Sequence, residues 1–302
     1  MKAIILAAGL GTRLRPLTEK KPKALMPVAN RPIIARNIDY LKTFGVSKIT
    51  VNAHHHYQQI LDYLDDGKLF GIDIDVKVEP EILGTGGGIR NCSDFRDNES
   101  FIVINSDILS NIDLAVACEY HNKSGNIATL VLHRREPYNQ IQIDEKCQVI
   151  DIGRQNEPGR LAFTGIHIIE PDILKYTPDQ GYSDIIDCYN KMIHSGESIS
   201  AYISDNHYWH DIGTPDGYIS ANKEILCEKN SPFQTGAYSN LAPSVKFEEW
   251  AVVGERTDLE NGVKICRSIL WDNIKVKDGV RIIDSVVTSF KEIENDLINK
   301  LY

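Results

Sequence analysis

The first strand and the loop after it constrain this chain more than any other stretch. Residues 3–8 form a short apolar run, the pattern of a strand buried on both faces. Gly9 and Gly11 follow at once, and two glycines this close allow a sharp turn with accessible main-chain N–H groups. Clustered basic residues come next: Arg13, Arg15, Lys20, Lys21 and Lys23. Accessible N–H groups beside cations predict a polyphosphate site at the end of a buried strand.

Two familiar phosphate-binding loops do not fit this spacing. A Walker A loop needs Gly-Lys-Ser/Thr after the first glycine, and the chain has none there. A dinucleotide fingerprint needs a third glycine where this chain has Leu14, which disfavours a nicotinamide dehydrogenase.

Alternating patterns downstream predict an α/β fold. Residues 33–44 carry apolar side chains at helical spacing and end at Gly45, and residues 46–51 resemble a buried strand. Strand, helix and strand in this order predict parallel pairing through right-handed crossovers. Further strands are predicted over 72–78, 101–104 and 127–133, and further helices over 57–65, 184–194 and 216–227.

Two segments stand where a parallel sheet binds ligands. The glycine-rich residues 84–88 follow a predicted strand, at the carboxyl edge that forms the ligand crevice of open α/β sheets. The strand over 101–104 leads into Asp107, and a carboxylate at such an edge is a natural magnesium ligand. Capping of the next helix is the structural alternative for Asp107.

The C-terminal part contains an internal repeat. Residues 262–270 return 17 positions later as residues 279–287, and a fainter copy begins near residue 244. Apolar residues also recur every six positions, as in the short coils of a left-handed parallel β-helix. Residues 229–240, rich in Asn, Ser, Pro and Gly, form the predicted linker before it.

Composition excludes several classes of function. The formal charge of -9 and the pI near 5.5 disfavour sequence-independent nucleic-acid binding, which needs a basic face. No apolar run reaches the length of a membrane span, so no membrane partner is expected. The six cysteines are scattered without a Cys-x-x-Cys pair, which favours reduced thiols in a cytoplasmic protein.

The opening stretch closely resembles one enzyme family. Residues 9–18 read Gly-x-Gly-Thr-Arg-Leu-x-Pro-x-Thr and residues 22–28 read Pro-Lys-x-Leu-x-Pro-Val, as in the sugar-1-phosphate nucleotidyltransferases. Residues 83–85 resemble that family's nucleobase segment, and residues 209–214, Trp-x-Asp-x-Gly-Thr, its second magnesium motif. The resemblance covers nearly the whole chain. It implies that an NTP and a sugar 1-phosphate are converted into an NDP-sugar and pyrophosphate.

The resemblance also implies residue roles. Arg13 would hold the pyrophosphate leaving group and Lys23 the α-phosphate, while Asp107 and Asp211 would bind Mg²⁺. The nucleotide would contact Leu6, Ala7, Ala8, Gly9, Gly11, Thr12, Arg13, Glu79, Gly84 and Thr85. The sugar phosphate would contact Asn139, Arg154, Thr164 and Gly165, with Arg154 in place of the family's lysine.

The same resemblance implies the domain plan. A Rossmann-like, mostly parallel α/β nucleotidyltransferase domain is expected over 1–228, the linker over 229–240 and the left-handed β-helix over 241–302. The β-helix is predicted to be an assembly element rather than a catalytic one. Ile269, Leu270 and Trp271 would form an apolar surface for a partner subunit in a homo-oligomer.

The nucleobase is inferred from two acidic residues. Glu79 and Glu81 precede the nucleobase segment, and one carboxylate can accept both N1–H and the amino group of guanine. Guanylyl transfer from GTP to mannose 1-phosphate or a related heptose 1-phosphate is therefore expected. Uridylyl or thymidylyl transfer to another sugar 1-phosphate is the alternative. A regulatory or scaffolding subunit is a second alternative, disfavoured because such relatives tend to lose the cationic loop or the paired aspartates.

Overall fold

The structure, a computed structural model, describes residues 1–93, 99–153 and 155–302. Its α-helices are α1 Ile33–Thr43, α2 Tyr57–Leu64, α3 Gly84–Cys92, α4 Leu114–Ser124, α5 Ile185–His194 and α6 Pro215–Glu228. Its strands are β1 Lys2–Leu6, β2 Pro27–Val28, β3 Arg31–Pro32, β4 Lys48–Ala53, β5 Asp73–Val78, β6 Phe101–Asn105, β7 Ile108–Ser110, β8 Ala128–His133, β9 Asn139–Ile143, β10 Val149–Ile152, β11 Leu161–Ile169, β12 Ile199–Ile203, β13 Trp209–Asp211, β14 Phe233–Thr235, β15 Asn240–Leu241, β16 Lys246–Val253, β17 Asp258–Leu259, β18 Lys264–Leu270, β19 Lys275–Val276, β20 Arg281–Ile283, β21 Val286–Val287, β22 Glu292–Ile293 and β23 Leu297–Ile298.

The chain forms two compact units. The first contains residues 1–10 and 34–210, and the second contains residues 11–33 and 211–302. The second unit thus joins a short N-terminal segment to residues that follow it by nearly two hundred positions. These units divide the chain differently from the predicted domains 1–228 and 241–302.

The first unit is built on a mixed sheet with a parallel centre. Its main strand order is β10-β9-β11-β6-β1-β4-β5, with β8 and β12 joined through β11. β1 pairs in parallel with β4 on one side and β6 on the other, so that Ile4 lies opposite both Thr50 and Val103. The chain winds outward from β1 to β4 and β5 and then returns to β6. The carboxyl end of β1 is therefore a topological switch point, where open α/β sheets bind ligands.

Apolar packing and helix caps hold this sheet in place. Ile4, Val103 and Leu130 belong to one buried cluster that also includes Tyr189 of α5. The α5 helix begins where the Asp184 carboxylate accepts a hydrogen bond from the main chain of the first turn. These contacts confirm the predicted Rossmann-like sheet and fix its carboxyl edge.

The C-terminal strands stack as parallel coils within the second unit. Lys246 lies opposite Lys264, which lies opposite Arg281, so successive coils are 18 and 17 residues long. Glu249 and Arg267 adopt left-handed φ angles of 56° and 46° at corresponding bends of two coils. The stacking confirms a parallel-strand tail compatible with a β-helix, while its handedness stays a prediction.

The apolar surface predicted on this tail is absent where the sequence placed it. Ile269, Leu270 and Trp271 are 1%, 0% and 3% exposed. Their side chains pack inside the second unit, so the prediction that they form a partner surface is wrong. None of the described helices combines the length and apolar character that a membrane crossing requires.

Candidate active site

The end of β1 in the first unit is fixed from both sides and open at its tip. The Ala7 N–H donates to Asn52 Oδ1 at 2.7 Å, and the Ser106 N–H donates to the Leu6 carbonyl oxygen at 2.9 Å. Ala8 is buried next to them. Gly9 is exposed, and a Cβ added there would meet no atom within 4 Å. This arrangement leaves the main chain around Gly9 accessible to a ligand.

A buried carboxylate links this strand end to the predicted nucleobase segment. Glu79 is 1% exposed; its Oε1 accepts from Asn52 Nδ2 at 2.7 Å and its Oε2 accepts from the Leu83 N–H at 3.1 Å. Both oxygens accept hydrogen bonds within the protein, and a contact of Glu79 with the nucleobase stays a prediction. These bonds make Glu79 a link between β4 and the segment that leads into α3. Asn52, at the end of an apolar strand, is the partner that the sequence analysis missed.

The glycine-rich start of α3 is packed against another part of the chain. Gly84 has a φ of +74°, and a Cβ there would lie 2.5 Å from the Ser183 carbonyl oxygen. The Gly86 N–H donates to that oxygen at 2.8 Å, and the Thr85 hydroxyl donates to Asp184 Oδ1 at 3.1 Å. The glycines therefore permit a close approach of two chain segments. Among the predicted nucleotide contacts, the Thr85 hydroxyl already has an internal partner.

Asp107 follows β6 at the same carboxyl edge of the sheet. It is half-buried, and Asn105 two residues earlier lies against Gly165. Gly165 has a φ of +74°, and a Cβ there would lie 2.7 Å from Asn105 Nδ2, so only glycine fits. The structure thus brings the predicted sugar-site Gly165 close to the strand end that carries Asp107.

Two other predicted sugar contacts support the fold. Thr164 is fully buried and its hydroxyl donates to the Val131 carbonyl oxygen at 2.7 Å. Asn139 is 9% exposed, and its Oδ1 accepts from the Arg135 N–H at 3.1 Å. The structure therefore gives both side chains internal partners, and their contact with the sugar phosphate stays a prediction. Arg154, the fourth predicted contact, lies outside the described residues.

The turn at Gly11 belongs to the second unit and needs a glycine. Gly11 has a φ of +65°, and a Cβ there would lie 2.9 Å from Thr18 Cγ2. The Thr18 hydroxyl donates to the Gly11 carbonyl oxygen at 2.8 Å. A short 3₁₀ turn over Thr12–Leu14 follows, with Thr12 and Arg13 exposed. The turn thus presents Arg13 to solvent directly after the predicted phosphate loop.

Three predicted functional side chains of the second unit converge on Gly213. A Cβ built at Gly213 would lie 2.6 Å from Arg13 Nη2, 2.6 Å from Asp211 Oδ1 and 3.0 Å from Lys23 Nζ. The Gly213 N–H also donates to Asp211 Oδ1 at 2.6 Å, which orients the carboxylate. We call Arg13, Lys23 and Asp211 the cation–carboxylate cluster. Its charges suit a polyphosphate with a divalent metal ion.

The donor set fits magnesium bound together with phosphate. Mg²⁺ prefers hard oxygen ligands and commonly uses one or two carboxylates, with phosphate oxygens and waters completing its shell. Asp211, within the second unit, carries such a carboxylate beside two cations, and the metal-binding role of Asp107 in the first unit stays a prediction. No group of three or more His, Cys, Asp or Glu side chains suited to a metal occurs in the described ranges.

The first unit has a switch-point sheet and the second unit has the cation–carboxylate cluster, and each feature is typical of proteins that bind phosphates. Residues 2–228 match the family model described as Nucleotidyl transferase. The chain belongs to this family, which confirms the prediction that it is a nucleotidyltransferase.

Individual relatives support membership of the same family. A UTP–glucose-1-phosphate uridylyltransferase of Synechocystis sp. is 28% identical, over 97% of this chain and 84% of that protein. A mannose-1-phosphate guanylyltransferase of Mycobacterium tuberculosis is 26% identical, over 92% of this chain and 81% of that protein. A solved structure of a putative glucose-1-phosphate thymidylyltransferase from Bacillus anthracis is 26% identical with a TM-score of 0.67, covering 74% of this chain and 94% of that one.

Proposed function

We propose that the chain transfers a nucleoside monophosphate from an NTP to a sugar 1-phosphate, with release of pyrophosphate. The observation that carries this proposal is the convergence of Arg13, Lys23 and Asp211 around Gly213. The acceptor oxygen of a sugar phosphate is already anionic, so the reaction needs charge neutralisation and in-line placement more than a general base. The cluster supplies the first requirement.

Each member of the cluster has a separate task in this proposal. Arg13 binds the β- and γ-phosphates through a planar, bidentate guanidinium and stabilises the charge that develops on the leaving pyrophosphate. Lys23 binds the α-phosphate as a point charge. Asp211 and Asp107 would hold Mg²⁺, which neutralises phosphate charge when it is bound. In the first unit, the exposed main chain at Gly9 is accessible to a ligand.

We infer that the nucleotide is GTP and the acceptor mannose 1-phosphate or a related heptose 1-phosphate. Relatives from M. tuberculosis and Arabidopsis thaliana are named mannose-1-phosphate guanylyltransferases, which supports this choice. Because Glu79 is buried, the base-reading task passes to Glu81, which is exposed two residues before Leu83. A carboxylate there suits the two adjacent donors of guanine.

A uridylyl transfer is the second candidate. The Synechocystis relative is named a UTP–glucose-1-phosphate uridylyltransferase and matches over 97% of this chain. Uracil offers one donor between two acceptors, so an amide in place of Glu81 would suit it better than a carboxylate.

A substrate grid decides between these candidates. Each of the NTPs is combined with mannose, glucose and heptose 1-phosphates and with Mg²⁺, and pyrophosphate release is measured. The highest kcat/KM with GTP is expected, and Glu81→Gln should lower it for GTP more than for UTP. Glu79→Gln is the matched control, because an amide can accept only one of the bonds from Asn52 and Leu83, and the loss of the other should lower kcat/KM for both nucleotides alike. A wild type that favours UTP or dTTP by about tenfold, or about 1.4 kcal/mol, contradicts the guanylyl proposal.

The same grid tests a purely regulatory role, since a regulatory subunit would release no pyrophosphate with any pair of substrates.

We also propose that the protein is cytoplasmic, contributes nucleotide sugars to polysaccharide synthesis and forms a homo-oligomer through its β-helix. Light scattering of the full chain measures the oligomeric state, and a monomeric mass rules the last proposal out.

A further inference from the structure

The N-terminal segment that carries Arg13 and Lys23 is attached to the C-terminal β-helix by side chains. Within the second unit, the hairpin of β2 and β3 turns at Ala29 and Asn30, which have φ angles of 44° and 58°. The Ala29 N–H donates to Asn222 Oδ1 at 2.8 Å, and Asn30 Nδ2 donates to the Val253 carbonyl oxygen at 2.7 Å. The hairpin tip is thus bonded both to α6 and to the β-helix.

A second attachment runs through two buried aromatic residues. The Tyr218 hydroxyl donates to the Pro27 carbonyl oxygen at 2.5 Å and accepts from Trp271 Nε1 at 2.9 Å. Tyr218 is fully buried and Trp271 is 3% exposed. Both bonds are therefore shielded from water, where a hydrogen bond is hard to replace. Pro27 lies four residues after Lys23 in the chain.

The Trp271 ring also lies under a basic residue of the same segment. Lys21 Nζ is 5.9 Å from the ring centroid, two residues before Lys23. Burial lowers the pKa of Lys21, and the neighbouring Asp272 carboxylate opposes that shift. One indole therefore contacts the segment on both sides of Lys23, through Lys21 and through Tyr218.

We propose that Trp271 and Tyr218 are positioning residues for catalysis, which hold Lys23 and Arg13 in the geometry that the cation–carboxylate cluster requires. The β-helix is then part of the catalytic apparatus, in contrast to the expectation that it serves assembly alone. This inference rests on the proposed nucleotidyl transfer. Trp271 does not contact the substrate in this proposal; it acts by supporting the segment that carries Arg13 and Lys23.

The test compares two buried tryptophans of the same β-helix. Trp271→Phe keeps an aromatic ring but removes the N–H that reaches Tyr218. Trp250→Phe is the matched control, because Trp250 is 6% exposed and lines a cavity beside α6. We expect Trp271→Phe to lower kcat about threefold to tenfold, the effect of one buried hydrogen bond, and Trp250→Phe to leave it unchanged. The KM for the NTP should change less than kcat.

A double-mutant cycle distinguishes loss of the hydrogen bond between Trp271 and Tyr218 from general destabilisation of the protein. Tyr218→Phe should lower kcat by at least as much as Trp271→Phe, and the double variant should be no slower than Tyr218→Phe alone. Asn30→Gly provides an independent variant, since glycine accepts the left-handed turn and only the bond to Val253 is lost. Tyr238→Phe, at a residue that is 84% exposed, is the control for loss of a tyrosine hydroxyl.

Hydrogen exchange gives a measurement that does not depend on turnover. Amides of residues 12–26 should exchange about tenfold faster in Trp271→Phe than in Trp250→Phe, at equal thermal stability. A wild type inactive with every substrate pair defeats the proposed function, and the exchange experiment still decides the inference. Equal exchange in the two tryptophan variants, or kcat values within twofold of one another, overturns it.

Discussion

Replacing Gly213 by alanine tests the cation–carboxylate cluster with a single methyl group. Gly213 does not have a left-handed φ, so alanine is compatible with its main chain. Such a substitution usually changes the free energy of unfolding by about 1 kcal/mol or less. Arg13 Nη2 and Lys23 Nζ are the ends of flexible side chains, and they can move without unfolding the protein. The expected consequence is therefore catalytic.

The size of the effect follows from the spacing. The methyl carbon would lie 2.6 Å from Arg13 Nη2 and Asp211 Oδ1 and 3.0 Å from Lys23 Nζ, while ordinary contact begins at 3.4 Å. The first two groups must retreat by about 0.8 Å and the third by about 0.4 Å. Since a misplacement of about 1 Å can cost about a hundredfold in rate, kcat should fall about 30- to 100-fold, or about 2 to 2.7 kcal/mol.

Pyrophosphate release at saturating NTP and sugar 1-phosphate measures this loss, and thermal unfolding measures stability. Asp216→Ala is the control, because Asp216 lies exposed in the first turn of α6, three residues after Gly213. Its removal weakens the helix terminus by about 0.3 to 1 kcal/mol and should leave kcat unchanged. A Gly213→Ala variant with kcat within threefold of wild type would refute the role of the cluster.

Three further predictions concern charge. Asp107→Asn and Asp211→Asn should each lose most of the activity at saturating Mg²⁺ while the circular dichroism spectrum is retained, because an amide is a weaker magnesium ligand; normal turnover in either removes its metal assignment. Arg13→Ala should lower kcat by about 10² or more, and Arg15→Ala should have less effect; equal losses contradict the assignment of Arg13 to the pyrophosphate. Burial lowers the pKa of His167 to about 3. The neutral, buried His167 therefore contributes fully to the free energy of unfolding above the unfolded pKa near 6.5. This contribution is lost as the pH falls toward 3, by up to about 1.4 kcal/mol per pH unit. Urea unfolding at pH 7 and pH 5 measures the loss of free energy of unfolding between the two pH values. The loss should be smaller in His167→Gln than in the wild type, and equal losses contradict this role of His167.

Local patterns predicted the parts of the fold that depend on neighbouring residues. The run that became β1 and the Gly11 turn follow from apolar content and from the glycine's freedom at positive φ. The copied segment at 262–270 and 279–287 predicted the coil stacking, since Lys264 and Arg281 pair in register. A repeat of this kind is visible when the two stretches of sequence are compared, without knowledge of the structure.

Contacts between distant residues were not visible in the same way. The glycine-rich residues 84–88 predicted a ligand site, but their close approach to Ser183, about a hundred positions away, could not be predicted from local sequence. Trp271 read as a surface residue because nothing nearby in sequence shows its bond to Tyr218. The roles of Asn52 and Gly213 likewise depend on partners brought together by tertiary structure. A polar residue ending an apolar strand was the one local signal for Asn52.

The attachment of residues 11–33 to the C-terminal unit has a consequence for biosynthesis. Asn30 and its acceptor Val253 are 223 positions apart. At translation speeds of about 5 to 20 residues per second, a ribosome needs roughly 11 to 45 s to make that interval. The segment with Arg13 and Lys23 is thus made early, but its supports emerge late. Nascent chains that stop before Trp271 would carry both cations without its buried bond to Tyr218, so the proposed role of Trp271 predicts activity only after its coil has been translated and folded.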